Sequence, residues 1–209
     1  MFKKASKEKS LLRLAMFGPS GSGKTMSALR IASGMSPDSI AVIDTERGSA
    51  SKYADRFGFD VAEIGKCTVD TIKNAIGKAA EGGYKVLIID SLTHAWQELL
   101  DEVDKLASAK YHGNSFAAWR EGTPKQRTLV TAILDYPGHL IATMRTRTEW
   151  VVDKDDRGKT KPVRVGLSPE QGKGIEYEFD LLMELSPEHD VNVIKDRTGK
   201  FQDVILSKP

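Results

Sequence analysis

Eight residues, Gly18 to Thr25, reading GPSGSGKT, constrain this chain more than any other stretch. They fit the pattern of a glycine, any four residues, then Gly-Lys-Ser/Thr, which carries chemistry where a buried strand enters the loop and a helix leaves it. Both flanks meet that condition. Upstream, Leu11 to Phe17 (LLRLAMF) is a short apolar run ended by Gly-Pro, the pattern of a buried strand entering a turn. Downstream, Met26, Leu29, Ile31 and Ala32 recur at roughly helical spacing until Gly34 and Pro37 close the pattern. In such a loop successive backbone N–H groups converge on an anion, and the helix adds its positive dipole end. Gly18, Pro19, Ser20, Gly21, Ser22, Gly23, Lys24, Thr25 and Met26 are therefore expected to cradle phosphates. Lys24 would reach the β- and γ-phosphates as a point charge, and the Thr25 hydroxyl would take a position on Mg²⁺.

The remaining chain alternates in the same way. Ile40 to Asp44 (IAVID), Lys85 to Asp90 (KVLIID) and His139 to Thr143 (HLIAT) are further short apolar runs. Helical stretches are expected from about Thr68 to Ala80, Thr93 to about Ala109, and Pro124 to about Leu134. Apolar strands alternating with helices argue for an α/β fold with a mostly parallel sheet covered on both faces. Residues 148–167 (TEWVVDKDDRGKTKPVRVGL) place two apolar-bearing arms around a charged tip, which predicts a β-hairpin or a mobile loop. Phe179 to Leu185 and Asp190 to Ile194 read as adjacent antiparallel strands joined by Ser186-Pro187, an antiparallel C-terminal extension of the sheet. A chain of 209 residues, 40% hydrophobic and 29% charged, suits one domain over 1–209 with a basic segment at 1–10. Trp96, Phe116 and Trp119, in helical or loop context, are expected to be packing residues.

Bulk properties exclude several classes. A net charge of +2 means that nucleic-acid affinity would have to come from local patches. Cys67 is the single cysteine, so an intrachain disulfide framework and a Cys-rich zinc site are out. The four histidines show no paired ligand spacing. No apolar run approaches the ~20 residues of a membrane helix, and MFKKASKEKS lacks an apolar stretch after its lysines. A cytoplasmic protein without a membrane partner is expected.

Two carboxylates complete the expected site. An Asp closing an apolar strand is commonly a helix N-cap. Downstream of a phosphate loop, Asp90 is instead expected to orient Mg²⁺ directly or through water. Glu46, just past the second strand, should emerge on the same sheet edge as the loop, because parallel strands end on one side. There it would polarise a water in line with the γ-phosphate, the alternative being a solvated loop carboxylate.

IAVIDTERGSASKYADRFG and KVLIIDSLTHAW, with GPSGSGKT, resemble the core of RecA-type recombinases over roughly the first 145 residues. The C-terminal segments KTKPVRVGLSPEQGKGIEYEFD and VIKDRTGKF are similar to those of short phage-encoded RecA-like ATPases placed among single-strand annealing recombinases (Sak type). The resemblance implies ATP with Mg²⁺, Glu46 as the catalytic base beside Lys24 and Asp90, and Thr143 or Arg145 at the place of a γ-phosphate sensor. HLIATMRTR departs from that family by lacking the polar amide expected near Thr143. KDRTG resembles an element of bacterial RadA relatives whose basic residues reach a neighbouring subunit's nucleotide. This makes Lys195 and Arg197 candidate trans-acting fingers, with solvated charges as the alternative, and implies a homo-oligomer, ring or filament.

Single-stranded DNA is the implied partner, with a single-strand binding protein as a further one. Lys154, Arg157, Lys159, Lys161 and Arg164 could contact phosphates and Trp150 could stack on a base. Their position matches the mobile DNA-contacting loop of RecA-like cores, although charged loops are often merely solvated. Two other functions share the loop: an AAA-type helicase loader or replication ATPase, which would carry its base beside Asp90 where this chain has Ser91, and a nucleotide-dependent switch without DNA affinity.

Overall fold

The computed structural model describes residues 10–154 and 160–207, with side chains for all of these except 148–154 and 160–165. Successive side chains of a strand point to opposite faces. In β1 (Arg13–Phe17), Leu14 and Met16 accordingly join one apolar cluster and Ala15 and Phe17 the other. Helix α1 (Lys24–Met35) covers the first face with Ala28, Leu29 and Ala32. β2 (Ile40–Asp44) follows, then a 3₁₀ turn at Ala50–Tyr53 and β3 (Asp60–Glu63). Helix α2 (Val69–Glu81), β4 (Val86–Asp90), helices α3 (Leu92–Lys110) and α4 (Ser115–Leu134), and β5 (His139–Met144) come next. The three later helices bury their apolar sides on the second face. β1, β2 and β4 are buried along their whole length, which is why they read as short apolar runs with charge only at an end, Arg13 in β1 and Asp44 and Asp90 in the other two.

β8 (Leu181–Leu185), β9 (Asp190–Asp196) and β10 (Ile205–Ser207) extend the sheet to eight strands in the order β10-β9-β8-β1-β5-β4-β2-β3. β8 lies parallel to β1, whereas β9 and β10 are antiparallel additions. This is the mixed sheet expected from the sequence. Register matters most for the site. Phe17 pairs with Met144, and Asp44 pairs with Asp90, so residues just past β1, β5, β2 and β4 emerge together on one edge.

β6 (Thr146–Lys154) and β7 (Thr160–Pro169) form a separate antiparallel ladder. Trp150 stands opposite Arg164, Lys154 opposite Thr160, and Lys161 opposite Asp153, with a register shift after Glu149. Arg157 and Lys159 lie outside the described residues.

Two local expectations need correction, and one strand was not anticipated. Helix α4 begins at Ser115, not near Pro124, because the Asn114 side chain accepts the Ala117 N–H at 3.1 Å and caps the helix there. Pro124 is tolerated inside it. Phe116, expected to pack, is 88% exposed in the first turn of α4. The core side of that helix belongs to Ala118 and Gly122, where even a Cβ on Gly122 would stand 2.5 Å from Val103. β3, four residues all exposed, leaves no apolar run for the sequence to announce. Trp96 and Trp119 do pack, stacked with ring centroids 5.6 Å apart.

Candidate functional site

The loop between β1 and α1 depends on its glycines. Gly21 (φ 79°) and Gly23 (φ 91°) occupy the left-handed region that strains any residue with a Cβ. A Cβ on Gly18 would sit 2.5 Å from the Leu185 carbonyl, so the loop also packs closely on the end of β8. Residues 18–26 line a cleft of about 900 Å³ together with Glu46, Asp90 and Arg145. Lys24 Nζ donates to the carbonyls of Gly18 (2.9 Å) and Pro19 (2.8 Å), which places an ammonium across the mouth of its own loop. Burial pulls its pKa down, against the opposing pull of Asp90 and Glu46.

Asp90 ends β4 and is 2% exposed. Thr25 Oγ1 donates to its Oδ2 at 2.6 Å, and Thr143 Oγ1 donates to its Oδ1. Burial pushes this carboxyl above the usual range, while the two hydroxyls favour the charged form. Thr143 is thereby placed behind Asp90 and fully buried, and it is Arg145 that reaches the cleft wall.

Glu46 is held on the same edge by its neighbours. Asp44, buried at the end of β2, accepts the N–H of Glu46 at 2.6 Å and of Ala50 at 2.8 Å, which fixes the turn that carries the glutamate. Thr45 bonds the Asp90 carbonyl through its N–H at 2.8 Å, and its hydroxyl accepts the Ser91 N–H at 2.7 Å. The same hydroxyl lies 2.7 Å from His94 Nδ1. Arg145 Nε and Nη2 donate to Glu46 Oε1 at 3.2 and 3.0 Å, forming an ion pair at the cleft rim.

Sequence reasoning did not find the Thr45–His94 contact, the Arg145–Glu46 pair, or His189, whose Nδ1 would stand 3.5 Å from a Cβ on Gly23. Only the polar ending of each apolar run hinted at them. Lys195 and Arg197 belong to the opposite edge of the sheet. Lys195 donates to the carbonyls of Glu176 (2.8 Å) and Tyr177 (3.1 Å), and Arg197 pairs with Asp180 at 3.0 Å. The structure brings Lys24, Thr25, Glu46, Asp90 and Arg145 together and leaves these two apart. The hairpin residues Trp150, Lys154, Lys161 and Arg164 are placed by backbone alone, on a ladder that begins one residue after Arg145.

The donors suit a phosphate chain with its counter-ion. Left-handed glycines open the cradle, and the Ser22 hydroxyl is buried with no partner among the described residues. Thr25 and Asp90 offer the few oxygen ligands that Mg²⁺ takes from protein when phosphates and water supply the rest. No group of three or more His, Cys, Asp or Glu side chains among the described residues forms a metal site of its own. No helix among them is long and apolar enough to cross a membrane.

No curated protein matches the sequence. The fold is similar to that in the crystal structure of the RadB recombinase, with a TM-score of 0.54 at 15% identity, over 92% of this chain and 84% of that one. At that identity the likeness establishes the fold, a RecA-like P-loop core. The model of an AAA domain family matches residues 10–204, and with the glycine cradle, Lys24 and Asp90 in place, the chain belongs to that family of P-loop AAA domains.

Proposed function

We propose that the chain binds and hydrolyses ATP and acts on single-stranded DNA as a homo-oligomer, in the manner of short phage-type RecA-like annealing or recombination ATPases. The observation that carries the reading is the placement of Glu46, and no acid beside Asp90, at the mouth of the Lys24 loop. Thr25 and Asp90 hold Mg²⁺, which when bound neutralises charge on the phosphate oxygens. Lys24 leaves its two loop carbonyls for the β- and γ-phosphate oxygens. Glu46 accepts a proton from the attacking water as the bond from the γ-phosphorus to the bridging oxygen breaks, releasing ADP and phosphate. Arg145 stands at the sensor position, and Lys195 and Arg197 act on a neighbouring copy's nucleotide. Trp150, Lys154, Arg157, Lys159, Lys161 and Arg164 supply the hairpin's stacking and phosphate contacts to DNA.

The AAA match also favours a second reading, a helicase loader or replication ATPase. Turnover measured with and without single-stranded DNA separates the two. The recombination reading expects stimulation by DNA and losses of about 10²–10³-fold in Lys24→Ala and Glu46→Gln. Retained turnover in Glu46→Gln would move the assignment to the loader, and absence of any DNA response would leave a nucleotide switch.

A further inference from the structure

The Arg145–Glu46 pair is an unexpected way to hold a catalytic base. Arg145 follows β5, and Glu46 follows β2, with β4 and its Asp90 between them. Adjacent strands lie roughly 4.8 Å apart, so the guanidinium must reach across about 10 Å of sheet edge to meet Glu46. Both N–H donors that it uses, Nε and Nη2, converge on one carboxylate oxygen. The same arginine stands beside the loop that cradles phosphate, because Met144 is paired with Phe17 and the next residues are Arg145 and Gly18. Its backbone is fixed independently of the pair: its N–H donates to Thr93 Oγ1 at 2.9 Å, and its carbonyl accepts the Glu170 N–H at 2.8 Å. The side chain can therefore change partner without moving the strand end.

We propose that Arg145 is a latch that holds Glu46 in an ion pair until a phosphate at the γ position competes for the guanidinium, so that a nucleoside triphosphate, and not a diphosphate whose last phosphate stops short of that position, frees the base. This inference rests on the nucleotide reading of the Lys24 loop. Its chemistry is an exchange of one acceptor for a better one. A terminal phosphate presents more charge than a carboxylate and accepts a guanidinium fork through two oxygens. Glu46, with Arg145 gone, stands free to accept a proton. Because the pair and the phosphate contact exclude each other, breaking the pair in advance must tighten triphosphate binding and leave diphosphate binding alone.

The test is a thermodynamic cycle on the full chain, reading Kd for AMP-PNP and for ADP in the presence of Mg²⁺ by titration calorimetry. The variants are Glu46→Gln, Arg145→Gln and the double substitution, both sites lying at the solvent-facing rim, with melting curves confirming that each is folded. Glu46→Gln is expected to tighten AMP-PNP about two- to fivefold, the yield of releasing one partly exposed ion pair, with ADP unchanged. Arg145→Gln is expected to weaken AMP-PNP selectively and to abolish the gain in the double variant. An unchanged or weaker AMP-PNP affinity in Glu46→Gln, or a gain that persists without Arg145, overturns the latch while leaving the nucleotide site intact. Failure of the wild type to bind either nucleotide overturns the site reading, and the latch with it.

Discussion

The two edges of the central sheet use charge in opposite ways. At the edge where β1 begins, Arg13 is 6% exposed and its guanidinium donates to the carbonyls of Leu12, Leu134, Tyr136 and Gly138. These carbonyls lie away from the cleft, where no ligand competes for them. At the edge where β1 ends, Lys24 holds two carbonyls of its own loop and Arg145 holds one partly buried carboxylate. Those partners are exchangeable. A buried cation tied to fixed carbonyls stabilises the fold, whereas one tied to groups that can be replaced by a ligand is available for chemistry.

Substituting one cation from each edge tests this contrast most severely. Arg13→Met removes the charged donor from four carbonyls and is expected to cost about 3–5 kcal/mol of stability, read as a lower urea midpoint. Lys24→Ala should stay within about 1 kcal/mol of wild type in the same assay, since the desolvation cost of the partly buried ammonium offsets its two bonds. Equal losses in the two variants would erase the distinction.

A smaller effect sharpens it through pH. His139, on the Arg13 edge, accepts the Leu12 N–H on Nδ1 at 3.0 Å, and burial holds its pKa below the ordinary 6.5. A histidine whose folded pKa is depressed favours folding above its ordinary value, and that contribution is lost as the pH falls through the depressed one. Stability should therefore drop between pH 7 and 5, and less steeply in His139→Gln, whose side-chain carbonyl can still accept the N–H. His94, also held low by burial, leaves a residual slope. Parallel curves for the two proteins would remove His139 from the account.

A small effect on stability is expected from Arg197→Ala, which breaks one half-exposed ion pair with Asp180, worth at most about 1 kcal/mol, and one exposed bond to the Tyr177 carbonyl. Turnover at protein concentrations that favour assembly should nevertheless fall, by up to about 10³-fold if Arg197 acts as a finger on a neighbouring copy. Unchanged turnover assigns it to the fold, alongside Arg13.

Much of this was legible before any coordinates. GPSGSGKT, with its strand and helix flanks, marked the cradle, and the polar endings of IAVID and KVLIID marked Glu46 and Asp90. Those features are short-range. Apolar runs, glycines and caps act within a few residues, so their spacing survives in the linear chain. The first turns of helix α4 escaped because their start rests on one capping Asn114, well ahead of the internal Pro124, and β3 escaped because an exposed edge strand needs no apolar side chains.

What the linear order alone determined is therefore an α/β chain with a phosphate loop and two candidate carboxylates. Tertiary structure alone decided which of the many charges work together. Arg145 meets Glu46 across 99 residues, and Thr143 meets Asp90 across 53, because strand order and register carry them to one edge. Arg13 opens β1, and Arg145, the same residue type, follows the end of the neighbouring β5. Because the two strands run parallel, those positions fall at opposite ends of the sheet, one among fixed carbonyls and the other at the cleft.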